Sequence, residues 1–426
     1  MWLGIIVLMK LIGLLDCNNF FVSCERLFRP DLRKYPTVVL SSNDGVVVAR
    51  SQEVKDLGVP MGAPYFKVKE IVEEGKIKVF SSNFQLYRDI SKRVMDTLKE
   101  EIGNVEQYSV DEAFFEIDER DVSAARASLA RLKQVIEKQI GVPVSLGAGK
   151  TMTIAKYASE REKKGSGVCV LVGKTWKKLT AEIPVGEIWG IGGQTSNNMR
   201  RHGIMTVENF LAADHSRVEK LFGVHGLRLY SELSEIPARD IREYHDLQKS
   251  IMNTSSFAKT TTSLSVVEDA VSYHVGEAAK ELREIGGKAK SVRVLVRTSR
   301  HSDYFLHGSS DEVILPEATN DTRVILHEAL ALTKKLFQQG VPYKKAGVIL
   351  GRIEPADNLQ QNLFYSEEER ENQDVLMSVI DAINSRIGRD AVTVGRVREA
   401  GAWKPSLKHV SPRYTTSWSE LAVVKA

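Results

Sequence analysis

A chain of 426 residues is too long for one hydrophobic core and predicts roughly two to four domains. Lys plus Arg, at 59, exceeds Asp plus Glu, at 55, which permits a nucleic-acid partner without demanding one. Cys17, Cys24 and Cys169 have neither even pairing nor metal-ligand spacing, and the nine histidines form no His-x-x-x-His pair. Reduced thiols in a cytoplasmic protein are expected.

Residues 1 to 15 are apolar, but they lack the charged start and small-residue cleavage site of a signal peptide and run straight into Asp16. They predict a buried strand; no other segment is long enough to span a membrane. Asp16-Cys17-Asn18-Asn19-Phe20-Phe21 reads as a strand end and then a helix start, with Asn18 and Asn19 as candidate caps. Phe20 is expected in the core. Gly58, Gly62 and Pro64 mark turns in the stretch 35–80. Tyr87, Ile90, Val94, Leu98 and Ile102 recur at helical spacing, and Val122 to Ile140 forms a second amphipathic helix.

Between those helices, Tyr108 to Phe114 places two adjacent carboxylates, Asp111 and Glu112, at a bend between β-prone flanks. If this segment pairs with the strand ending at Asp16, three acids converge at one edge of a sheet. Three hard oxygen donors suit Mg²⁺. Such a cluster can hold two ions roughly 4 Å apart, clamping the attacking and leaving oxygens of a phosphoryl transfer. Further strands are expected at Val144 to Leu146 and Val168 to Val172. Gly149-Lys150-Thr151 invites a P-loop reading, but the position five residues before Gly149 is Val144, and without glycine there the backbone cannot wrap phosphates.

Gly190-Ile191-Gly192 leads into a polar helix with Arg200 and Arg201; a Gly-x-Gly turn exposes N–H groups that can grip a DNA phosphate. Leu221-Phe222-Gly223 with Gly226 suggests a looser turn of the same sort. After a polar connector, about 237–253, the pattern is strand, helix, strand, strand, helix, strand, with helices near 272–285 and 321–338 and a last strand Ala346 to Leu350, a split βαβ arrangement. In Ser291 to Thr298 three valines share one face, and Arg293 and Arg297 share the other with Leu295. Thr261, Ser263 and Ser265 alternate in the same way against Leu264 and Val266. Such faces suit phosphates, although a plain solvated face has the same pattern. From about 353 the tail is rich in Gln, Asn and Glu, and the chemistry of Trp403 to Thr416 gives it no role.

Asp16-x-Asn18-x-Phe20-Phe21-x-Ser23-Cys24-Glu25, joined to Tyr108-Ser109-x-Asp111-Glu112-Ala113-Phe114, resembles the Y-family (translesion) DNA polymerases. Phe28-Arg29-Pro30-Asp31-Leu32, Ser42-Asn43-Asp44-Gly45, Phe80 to Phe84, Tyr343 to Gly347 and Ser411 to Thr416 resemble their UmuC-type branch. The resemblance implies an α+β multidomain chain in the form of a polymerase right hand. Its parts would be a ferredoxin-like palm (9–34 and 81–183), small fingers (35–80), a helical thumb with helix-hairpin-helix turns (184–240) and a βαββαβ little finger (254–352). A C-terminal tail (353–426) would follow. Asp16, Asp111 and Glu112 would bind two Mg²⁺, one activating the primer 3′-hydroxyl and the other holding the triphosphate. Phe20, Phe21, Lys55 and Lys163 would surround the incoming nucleotide, with Phe21 as steric gate. Gly190, Gly192, Arg293 and Arg297 would contact DNA.

Gln360-Gln361-Asn362-Leu363-Phe364 resembles a sliding-clamp docking peptide, with Leu363 and Phe364 as its anchors. Primer-template DNA, deoxynucleoside triphosphates, a UmuD-type accessory dimer, the sliding clamp and a recombinase filament are the implied partners. Error-prone synthesis past lesions in the SOS response, without proofreading, is the implied activity. Residues 1–8 would precede the point, Met9, where relatives begin. The sequence departs from the family's pattern at Thr151-Met152, where Asn-Lys is usual, at Thr254 to Ala258, where Arg-Ser-Phe-Gly is common, and at Lys55, where Arg often stands. Two rival readings are a nucleotide cyclase-like palm, which lacks the Gly-x-Gly thumb, and a non-catalytic DNA-binding scaffold, which needs none of the acids.

Overall fold

The computed structural model describes residues 8–241, 247–299, 308–356, 367–387, 391–395 and 403–421. They fall into two units, one from 1–40, 46–244 and 409–426, the other from 41–45 and 245–408. In chain order the first unit runs β1 (Met9–Cys17), α1 (Phe20–Phe28), β2 (Thr37–Leu40), β3 (Val47–Arg50), α2 (Gln52–Asp56), α3 (Tyr65–Glu73), β4 (Lys78–Ser81) and α4 (Phe84–Ile102). It continues through β5 (Val105–Gln107), β6 (Glu112–Glu119), α5 (Val122–Gln139), β7 (Val144–Gly149), α6 (Met152–Arg161), β8 (Val168–Leu171), α7 (Gly173–Thr180), α8 (Gly193–Arg201), α9 (Val207–Leu211) and α10 (His215–Leu233).

The continuous apolar run at the start of β1 exists because β1 is the central strand of a five-stranded sheet ordered β5-β6-β1-β7-β8. Leu11 and Leu15 pack with α4 and α5 on one face, and Ile12 and Leu14 meet Met152 and Ala155 of α6 on the other. Burying each leucine contributes roughly 2 kcal/mol. The helical stripe Tyr87, Ile90, Val94 and Leu98 is fully buried on α4, whose first turn is capped by Asn83 accepting from the Leu86 N–H at 3.3 Å. A second sheet, β3-β2-β4, has its own small core of Val38, Leu40, Val47, Val54 and Ile77. Asn19 departs from expectation. It sits in the left-handed region (φ 48°) and makes no side-chain cap, while the Asn18 amide oxygen accepts from Ser145 Oγ at 2.9 Å.

Helix α6 lies unusually close to the sheet. A Cβ on Gly147 would stand 2.2 Å from the Ser159 nitrogen and 2.3 Å from the Ala155 carbonyl oxygen, so only glycine lets β7 and α6 touch backbone to backbone. Gly147→Ala is therefore expected to cost about 3 kcal/mol, the upper end for overpacking. Urea denaturation measures this, and an unchanged midpoint would refute it.

The second unit contains β9 (Ser250–Thr261), α11 (Leu264–Glu284), β10 (Gly287–Thr298), β11 (Gly308–Thr319), α12 (Thr322–Leu336), β12 (Tyr343–Pro355) and α13 (Glu367–Ile387). Its antiparallel sheet is ordered β11-β10-β12-β9. Two expectations need correction. Helix α11 begins at Leu264, not near 272, because buried Glu268 and Asp269 interrupt an apolar stripe that runs from Val267 through Val271 and Val275. Ser263 and Ser265 therefore belong to the start of that helix and form no strand face with Thr261. The looser turn expected near Gly223 is present: at φ 62° and ψ −160° that residue is non-helical and divides the run His215–Leu233 into two helical pieces.

The stretch from 353 is not a single tail. Strand β12 runs on to Pro355, and α13 is pinned to the second unit by Arg283, which donates to both Asp381 oxygens at 2.7 and 2.9 Å. Trp403 is buried in the same core. His409 onward belongs to the first unit, where Tyr414 enters the core. Residues 1–7 and the clamp-like stretch with Gln360, Leu363 and Phe364 lie outside the described residues. No helix among the described residues is long and apolar enough to cross a membrane.

Candidate active site

Antiparallel pairing of β1 with β6 sets Asp16 directly opposite Glu112. Asp111, one residue before β6, accepts the Cys17 N–H on its carbonyl oxygen at 2.9 Å. The three acids thus meet at the ends of two interior strands, in the middle of the sheet and not on an edge strand. Ser109 shapes the bend between them. Its Oγ accepts the N–H of Asp111 at 3.2 Å and of Glu112 at 3.0 Å, and donates to Asp111 Oδ1 at 2.6 Å.

Two lysines face these acids. Lys156 Nζ, on α6, donates to Glu112 Oε1 at 2.7 Å and Oε2 at 2.6 Å, and lies 5.1 and 5.4 Å from the ring centres of Tyr108 and Trp189. Lys163, two residues beyond α6, stands 2.9 Å from Asp16 Oδ2 and also pairs with Glu160. Burial pushes the Asp16 carboxyl up; Lys163 opposes the shift and Glu112 adds to it, leaving the pKa at about 7. Burial disfavours the Lys163 ammonium, but Asp16 and Glu160 outweigh that and raise its pKa. Lys55, on α2, is lowered by burial and then by Lys163, with Glu160 and Asp16 pulling the other way. Burial raises the Cys17 thiol, and Asp16, Asp111 and Glu112 all raise it further.

Sequence reading missed Lys156, Trp189 and the role of Ser109. A signal for the first existed: Lys156 falls one turn into the helix expected after Gly149-Lys150-Thr151, on the segment that follows the strand beside Asp16.

Phe20 is buried, as expected, whereas Phe21 is only half-buried. The Phe21 ring stacks on Tyr87 with centres 4.4 Å apart and planes 12° apart, and meets Phe84 edge-on at 5.9 Å. In the thumb-like segment Gly190 takes φ 91° and Gly192 opens α8, and no atom stands within 4 Å of a Cβ at either position. In the second unit Arg293 and Arg297 are exposed on the outer face of β10. Arg293 is not an unclaimed cation, because Glu312 Oε2 lies 2.7 Å from its Nη2 across the strand pair.

Among the described residues no three His, Cys, Asp or Glu side chains form a ready metal-ligand set, since Glu112 and Asp16 are turned onto lysines. Their chemistry nonetheless fits a hard divalent cation. The donors are carboxylate oxygens, and burial together with the neighbouring Glu112 disfavours the charged form of Asp16 despite Lys163, a penalty that a bound cation would relieve.

The fold has counterparts of known structure. A Y-family DNA polymerase chimera built on Dbh matches with a TM-score of 0.66 at 20% identity, over 81% of this chain and 99% of that one. An insertion ternary complex of Dbh DNA polymerase matches with a TM-score of 0.55 at 19% identity, again over 81% and 99%. The fold is that of a Y-family polymerase. Residues 15–160 match the impB/mucB/samB family, 248–363 that family's C-terminal domain, and 374–424 a domain of unknown function. Protein UmuC of Salmonella typhimurium strain LT2 is 34% identical over 420 residues, covering 97% of this chain and 100% of its own. Protein SamB of Salmonella typhimurium is also 34% identical, over 97% and 99%. DNA polymerase IV of Corynebacterium diphtheriae is 27% identical over 95% and 88%. The chain belongs to the impB/mucB/samB family.

Proposed function

We propose that this protein is a template-directed, error-prone DNA polymerase that extends primers past lesions as part of a DNA-damage (SOS) response in the cytoplasm. The observation that carries the reading is the Asp16–Glu112 register pair with Asp111 adjoining, at the end of the central strands of a Y-family fold. Asp16, Asp111 and Glu112 would hold Mg²⁺, which when bound activates a hydroxyl nucleophile and stabilises a leaving pyrophosphate. The protein's own residues do the rest. Lys163 and Lys55 bring two cations to the Asp16 end of the site, where a triphosphate needs charge neutralised. Lys156 holds the Glu112 carboxylate in place, and Phe21 presents a ring face for the nucleotide sugar to rest on. The Gly190–Gly192 turn and Arg297 would take phosphates of primer-template DNA without reading its sequence.

Primer extension with purified protein, Mg²⁺ and deoxynucleoside triphosphates, on an intact and an abasic template, tests this directly. Template-dependent extension past the lesion is expected. Protein that binds primer-template but adds no nucleotide would be a DNA-binding scaffold instead.

A UmuD-type accessory dimer, a recombinase filament and a sliding clamp complete the proposal, the clamp through Gln360, Leu363 and Phe364. Replacing Leu363 and Phe364 together by Ala should remove clamp stimulation and spare basal synthesis. Tethering raises the local concentration of polymerase at the primer without touching the chemistry. Equal stimulation of variant and parent would sink the clamp assignment.

A further inference from the structure

The last part of the chain reaches the wall behind Phe21. His409 pairs with the end of β4 through two bonds, Ser81 N–H to the His409 carbonyl and His409 N–H to Ser81 Oγ, both 2.9 Å. Asn83, the cap of α4, donates from Nδ2 to Ser411 Oγ at 3.0 Å, and Tyr414 stacks on Phe28 with centres 4.6 Å apart and planes 4° apart. Ser411 Oγ in turn donates to Glu25 Oε1 at 3.1 Å, and the same oxygen accepts from Tyr87 OH at 2.8 Å. Glu25 is fully buried, and its other oxygen has no partner among the described residues. Such a carboxylate is held only by the groups that reach it. Tyr87, held by Glu25, is the ring on which Phe21 stacks.

We propose that the C-terminal segment 409–414 is a positioning element of the nucleotide pocket, in which Ser411, through Glu25 and Tyr87, fixes the Phe21 ring and so sharpens discrimination between deoxyribose and ribose. This gives a task to part of the C-terminal stretch whose matching domain has no known function. It rests on Phe21 facing the sugar. Ser411 and Glu25 are both buried and would act on the nucleotide only through Tyr87. Their effect is on how firmly Tyr87 backs the gate ring.

The test measures kcat/KM for a ribonucleoside and the matching deoxynucleoside triphosphate in the full-length parent, Ser411→Ala, Ser411→Thr, Tyr87→Phe and Phe21→Ala, each at matched folded fraction. Ser411→Ala and Tyr87→Phe should each relax sugar discrimination about three- to tenfold, the scale of one lost hydrogen bond. Ser411→Thr, which keeps the hydroxyl, should restore it. A purely structural strap would lower both efficiencies equally and leave their ratio at the parent value, which overturns the proposal. The Phe21→Ala arm separates the two failures. If it relaxes discrimination while Ser411→Ala and Tyr87→Phe do not, the positioning role alone is wrong; if it also changes nothing, the gate assignment falls and the inference with it.

Discussion

Asp111→Ala is expected to slow primer extension at least ~1,000-fold while binding primer-template within about twofold of the parent. A cation held by these acids would supply several kcal/mol of charge stabilisation in the transition state, and about 4 kcal/mol corresponds to three orders of magnitude in rate. The fold should tolerate the change. Asp111 contributes to the bend through its carbonyl, which the substitution keeps, and through the bond its side chain accepts from Ser109, worth about 1 kcal/mol. Single-turnover extension and a fluorescence-anisotropy titration with labelled duplex separate the two effects. Extension at the parental rate would remove Asp111 from the chemistry, and loss of DNA binding in step with activity would point to a structural defect instead.

The legible part of this site was the part written in strands. The apolar run to Leu15, stopped by an acid, marked β1 as a buried strand with Asp16 at its end, because a strand covered on both faces reads as a continuous apolar run; its central place in the sheet is visible only in the strand pairing. The pair Asp111-Glu112 followed from its β-prone flanks. What stayed hidden depends on approach distances that periodicity does not encode. Gly147 reads as an ordinary strand glycine until α6 is seen lying against it, and the reach of Lys156 to Glu112 depends on that closeness. The start of α11 was obscured for a different reason. Glu268 and Asp269 break the apolar pattern on paper, yet both are buried in the fold. The C-terminal segment was opaque because its anchors, Ser411 and Tyr414, act on partners more than 300 positions earlier in the chain, a separation no local pattern carries.

Phe21→Ala is expected to raise ribonucleotide use relative to deoxyribonucleotide use by about 100-fold, the scale on which a pocket loses discrimination when a filling group is removed. The ring is half-buried and rests on Tyr87, so one face is backed by protein while part of the side chain stays exposed. A ring held in this way has little freedom to retreat from a 2′-hydroxyl. Truncating a fully buried phenylalanine costs roughly 3–5 kcal/mol, and a half-buried one costs less, so the variant should fold well enough to assay. The competing view, that Phe21 only fills the core beside Tyr87 and Phe84, makes a different forecast. Lost packing lowers activity on both nucleotides together, because it acts through the folded fraction and not through the sugar. Competition between a ribonucleotide and its deoxy counterpart in one reaction, at equal folded protein, reads the ratio directly. A well-folded variant whose ratio matches the parent would return Phe21 to the core and leave the site without a sugar gate at this position.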